Sequence, residues 1–137
     1  MLAIGKNDVR VRLHRGQVFA ILGELDRAEQ EWRLVLKYGD YDIAAHRAIA
    51  LINASRTKLS PAQKLKSLEE AEVAAQLAAD DWSCIATLAI AAAVNDNQKL
   101  AVENAKKASN LTVGSKRLFC EEMLANFEAD QPFAWKF

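Results

Sequence analysis

Two histidines and two cysteines are the side chains in this sequence best suited to chemistry near neutral pH. His14 and His46 could hold a metal or make a pH-sensitive contact, and Cys84 and Cys120 could ligate a metal or pair as a disulfide. The spacing gives none of these a framework. A closed metal site needs three or four ligands, and no others converge on the histidines. No GxGxxG, Walker loop, HExxH, CxxC or GxSxG pattern occurs, and no Ser/His/Asp set stands at a usable spacing. Glu69-Glu70 and Glu121-Glu122 are paired carboxylates, but neighbours on a helix point about 100 degrees apart, so both pairs read as solvated faces. No catalytic, cofactor-binding or metal-ligating residue is expected, and neither is an enzyme. The cysteines form a disulfide or stay free; in a helical chain of this size, free half-buried thiols are the expectation.

Composition narrows the classes further. At 137 residues the chain suits one compact domain or one short repeat array with its own core. Hydrophobic residues make up 51%, too many for a disordered chain. Abundant alanine, with 5 glycines and 2 prolines, favours helices. Eighteen basic residues balance 18 acidic ones, which leaves no electrostatic footprint for nucleic acid. The longest apolar run, residues 85–94, is interrupted by Thr87 and is too short to span a bilayer. Residues 1–6 are too short for a secretory signal, so the cytoplasm is the expected location, unless a longer protein carries a signal or anchor upstream.

The elements follow from periodicity and punctuation. Apolar residues recur at helical spacing almost throughout, with no sustained strand-like alternation. Asp8 caps a predicted first helix over 9–22, which Gly23 ends. A second helix, 25–38, closes at Gly39, and a third runs from Asp40 to about Thr57. Ser60-Pro61 starts a fourth to 79, through a capping side chain followed by proline at the first helical position. Asp80 or Asp81 caps a fifth, ending near 94. After an Asn95-Asp96-Asn97 turn come a sixth over 98–111 and, past Gly114, a seventh over 115–129. Connections this short make successive helices antiparallel neighbours.

The helices repeat. Gly16, Phe19, Gly23, Ala28 and Trp32 place a small residue and an aromatic in one helix, a glycine in the turn, and a small and a large residue in the next. Small residues let helix axes approach, and large ones fill the space left. Ala48, Leu51, Ser67, Ala71 and Ala74 repeat the pattern, as do Ile85, Leu88, Ala89 and Ala92 with Ala101, Ala105 and Ala108. This pattern resembles the tetratricopeptide repeat family, across residues 9–133. The lengthened second unit, with extra residues around 53–60, and the Trp-x-x-x-x-Thr-Leu-Ala stretch at 82–89 resemble a variant common in bacterial arrays, often at the C-terminal end of longer proteins. Departures are Arg12, Arg15 and Arg47 where large apolar residues are usual, and Asp40 in place of a closing proline. The resemblance implies an all-α, right-handed superhelical stack of antiparallel helix pairs. About three repeats (9–40, 41–79 and 82–111) would be followed by a capping helix at 115–129, with segments 1–8 and 130–137 outside them.

Such stacks bind proteins or peptides along the concave face lined by their first helices. By the repeat register that face would present Arg10, Leu13, His14 and Gln17, then Asp42, Ala45, His46, Ile49 and Ile52, then Ala86, Ile90 and Ala93. His14 and His46 fall at equivalent positions. Leu13, Gln17, Ala45 and Ile49 do not supply the Lys/Arg/Asn clamp with which some members grip a terminal carboxylate. The face reads as basic at one end and apolar in the middle, suited to an amphipathic helix or hydrophobic peptide; equally, Ile49, Ile52 and Ile90 could serve as core. Phe133, Trp135 and Phe137 crowd three aromatics into the last five residues. Their full burial is favourable by about 2 kcal/mol each, so the tail is expected to fold back onto the last helices or enter a neighbouring molecule, the alternative being a frayed end. The expected function is a protein-interaction scaffold, with a structural or self-associating (homodimeric) module as the alternative.

Overall fold

In a computed structural model of the chain, residues 9–39, 42–56, 58–133 and 135–137 are described. They are all-helical, with seven helices and no strand among the described residues: α1 (Val9–Ile21), α2 (Leu25–Tyr38), α3 (Asp42–Ala54), α4 (Pro61–Leu77), α5 (Trp82–Val94), α6 (Gln98–Asn110) and α7 (Gly114–Glu128). The expected caps Asp8 and Asp40, segment 1–8 and the expected helix end at Thr57 lie outside the described residues.

Local chemistry sets the visible boundaries. Gly39 closes α2 in the left-handed region (φ 82°), its N–H donating to the Val35 carbonyl at 2.9 Å. Ser60 and Gln63 form a reciprocal capping box at the start of α4, with Pro61 in the first turn. Asp81, rather than Asp80, caps α5 by accepting from the Ser83 N–H at 2.9 Å, and Asn97 caps α6. Helix α3 stops at Ala54, short of the expected end. Ser55 turns its hydroxyl back to the Leu51 carbonyl at 2.7 Å, and Arg56 is drawn to Asp26 and Glu29 on α2, both at 2.9 Å.

Cross-helix contacts give the directions. Val9 clusters with Val35, Arg12 and Arg15 reach Glu31, the Trp32 indole N–H donates to the Leu13 carbonyl, and Arg27 lies over the Phe19 ring. Numbers rise along α1 as they fall along α2, so the pair is antiparallel. Helices α3 and α4 pair likewise through His46–Glu70 and a 2.8 Å bond from the Ser67 hydroxyl to the Ala50 carbonyl. Between α6 and α7, Gln98 reaches the Phe127 carbonyl and Arg117 the Ser109 carbonyl. Every consecutive pair packs together, and α3 also meets α5.

Small residues fill the closest approaches: Ala28, Ala45, Ala50, Ala71, Ala74, Ala86, Ala89, Ala101, Ala105 and Ala108 are fully buried. One core cluster holds Ile85, Ile90, Met123 and Phe127, and another holds Ala20, Trp32, Ile49 and Ile52. Arg12 and Arg15 do not leave apolar gaps in the α1–α2 seam. Both guanidinium groups converge on Glu31, at 3.4 and 3.1 Å, with Arg12 buried and Arg15 exposed.

Candidate functional site

The expected concave lining divides by burial. Arg10, His14 and Gln17 are exposed on α1, and Leu13 is half-buried. Asp42 and His46 are half-buried, as is Ala93, while Ala45, Ile49, Ile52, Ala86 and Ile90 are core. For Ile49, Ile52 and Ile90 this matches the core role left open by the sequence. Their periodicity marked an inward face, and Phe137 of the tail packs against the two clusters that hold Ile49, Ile52, Ala86 and Ile90. Nor do the histidines form a pair by contact: His46 is engaged by Glu70 of α4. Glu70 is consequently not a solvated carboxylate, since it also lies 4.0 Å from Arg33, whereas Glu69, Glu121 and Glu122 are exposed.

The aromatic tail is the distinctive feature. After α7, the Gln131 N–H donates to the Asn126 carbonyl at 2.7 Å, and the Asn126 amide donates to the Pro132 carbonyl at 3.1 Å. These bonds turn the chain back along the helices. Phe133 meets Phe119 edge-on with ring centres 5.1 Å apart, and also Phe127. Trp135 meets the same Phe119 ring at 5.5 Å, and Phe119 in turn abuts Trp82 of α5. Phe137 reaches the opposite end of the chain, stacking on Trp32 of α2 with centres 6.1 Å apart. It packs against both core clusters, one containing Ile90 and the other Ile49 and Ile52. Lys136, between two inward rings, is exposed. Beside Phe119 the tail walls a pocket of about 580 Å³ lined by Trp82, Lys116, Glu122, Phe133 and Trp135.

A second polar centre lies where α2, α3 and α4 meet. Glu29, only 9% exposed, accepts from Arg33 and Arg56, both at 2.9 Å, and from Lys66 at 3.4 Å. Burial alone would raise its pKa. Hydrogen bonds from Arg33 and Arg56, with the charges of Arg33 and Lys66, outweigh that and hold it below the ordinary glutamate value. Three cations around one carboxylate tie α2 to the segment that follows α3 and to α4. The Glu29/Arg33 spacing of four residues was readable as a helical ion pair; Arg56, just past α3, and Lys66 of α4 are distant in sequence and carry no local signal.

The thiols are inert by environment. Cys84 and Cys120 are fully buried and unpaired with each other. Burial, with Asp81 adding to it, pushes the Cys84 pKa up to about 11, and burial with Glu121 raises that of Cys120. Among the described residues no group of three or more His, Cys, Asp or Glu side chains is placed to hold a metal. No helix among them is long and apolar enough to cross a membrane. Comparison of the chain with protein-family models, with curated proteins and with solved structures gives no match.

Proposed function

We propose that the chain is a tetratricopeptide-type array, a right-handed stack of about three helix pairs closed by α7, that docks a protein or peptide on its concave face. One observation carries this reading. The described residues of the tail are non-helical, and their aromatic side chains pack on the two core clusters, Phe137 stacking on Trp32. A surface that accepts one such peptide has the apolar pockets that peptide recognition uses. The exposed Arg10, His14 and Gln17 on α1 would supply its polar rim.

The test uses positions that the fold does not need. In an affinity capture, Arg10→Glu/His14→Glu/Gln17→Glu should lose a partner that the parent chain recovers, and Leu65→Glu/Val73→Glu/Leu77→Glu on α4 should retain it. Loss only in the α4 variant, or no difference between parent and α1 variant, would remove the concave-face reading.

The alternative, a self-associating module, has its own observation. Val18, Ile21 and Leu22 expose 53, 60 and 67% of their surface around the end of α1, a larger exposed apolar group than a solitary helix end requires. A stable dimer by light scattering, lost on Val18→Lys/Ile21→Lys, would favour it.

A further inference from the structure

The tail specifies what kind of peptide its seat accepts. Phe133, Trp135 and Phe137 stand at alternate positions, all three pack inward, and the intervening Lys136 points out. In a helix alternate residues would be turned about 200 degrees from one another, so an inward set at positions 133, 135 and 137 follows a period of two and not of 3.6. The seat therefore reads side chains at a period of two. It offers Phe119 to two successive rings, each nearly perpendicular to it, and a stacked Trp32 to the third.

The attachment is also one-sided. The last hydrogen bonds of the tail are made at Gln131 and Pro132; among the described residues, Phe133 and residues 135–137 make none. All three rings remain partly exposed, and ring packing is the attachment made by Phe133, Trp135 and Phe137. A segment held this way can leave without breaking a backbone ladder, and the seat it vacates is apolar.

We infer that the seat is a binding site for an extended segment of a partner protein carrying aromatic side chains at three alternate positions, and that the chain's own tail is the resident competitor such a segment displaces. This inference rests on the docking reading above and adds the chemistry of the ligand and the latch that guards it. An unlatched chain should bind more tightly than the parent by the inverse of the fraction of time the parent's tail is open.

The probe is a labelled peptide of sequence Gln-Pro-Phe-Ala-Trp-Lys-Phe, titrated by fluorescence anisotropy into the full-length parent and a full-length Phe133→Ser/Trp135→Ser/Phe137→Ser variant. The expected result is saturable binding to the variant and binding at least about tenfold weaker to the parent, which corresponds to a tail open about one tenth of the time. A peptide of the same composition with its three aromatics contiguous should bind the variant at least about tenfold more weakly than the alternating one. The inference is overturned by a folded variant that ignores the peptide, or by equal binding of both peptides. A variant without a cooperative melt would overturn it too, because the tail would then be core and not latch; the single variant Phe137→Ser separates these cases by opening only the Trp32 end. A dimer in the parent that the triple variant abolishes would give the seat to a second copy's tail and also overturn it. Random-peptide display on the variant distinguishes the two readings: enrichment of peptides lacking alternate aromatics overturns this inference and leaves the docking reading standing, whereas no enrichment overturns both.

Discussion

Gly16 of α1 lies directly against the indole of Trp32 on α2: a β-carbon at Gly16 would stand 2.8 Å from two indole carbons and closer still to the ring nitrogen. The two residues define how near these helices come, and the bond from the Trp32 N–H to the Leu13 carbonyl fixes the ring in place. A glycine inside a helix ordinarily costs about 0.5–1 kcal/mol relative to alanine, so Gly16→Ala would stabilise an isolated α1. Here the contact reverses the sign. Gly16→Ala should destabilise the chain by about 1–3 kcal/mol through overpacking, measured by urea unfolding. In a Trp32→Phe background, where the pyrrole part of the ring is gone, the penalty should shrink. A stabilising Gly16→Ala would show that the ring yields freely.

That relationship was legible as a small residue and a large one at the right spacing on two successive helices. The helix starts at Ser60-Pro61 and the stop at Gly39 were legible for the same reason, since each is written in neighbouring residues. The end of α3 was not. No glycine or proline marks a stop at Ala54, and the residues just past it are engaged by side-chain bonds, Ser55 to Leu51 and Arg56 to Asp26 and Glu29, that no local pattern announces. Ile49, Ile52 and Ile90 show a further limit. A period of 3.6 identifies the inward face of a helix but not whether a helix, a tail or a partner covers it. The tail's aromatic crowding was readable, and its reach to Trp32 was not, because nothing local to residue 137 encodes a contact with α2.

Glu29 should give the fold an acid-sensitive joint. Its folded pKa lies below its unfolded one, so the stability it contributes is complete above the unfolded value and is lost as pH falls through the folded value. Glu29→Gln should cost about 2 kcal/mol at pH 7, the scale of buried charge-assisted bonds, and the gap to the parent should narrow below about pH 4. A pH series of denaturation midpoints checks this. A gap independent of pH would mean that packing, not charge, makes the joint.

The cysteines should resist modification in the native state. At pH 8, a thiol with its pKa near 11 holds about one part in a thousand as thiolate, and neither sulfur has a route to solvent. Iodoacetamide should leave Cys84 and Cys120 unlabelled under conditions that label both in the urea-unfolded chain, as read by mass spectrometry. Rapid native labelling of Cys120 would show that α7 opens locally.

Phe137 should matter more than its terminal position suggests. Its ring packs against both the cluster around Trp32 and the cluster around Ile90. Half-buried, it should contribute about 1–2 kcal/mol, so Phe137→Ala should lower the melting temperature by about 4 °C per kcal/mol lost. Lys136→Ala, at an exposed neighbour, should leave it unchanged. A loss this size is consistent with a latch: large enough to keep the tail closed most of the time, yet small enough for a competing peptide to displace. If Phe137→Ala instead abolished the cooperative transition, the ring would be a core residue. If it changed nothing, its stack on Trp32 would contribute no stability in solution.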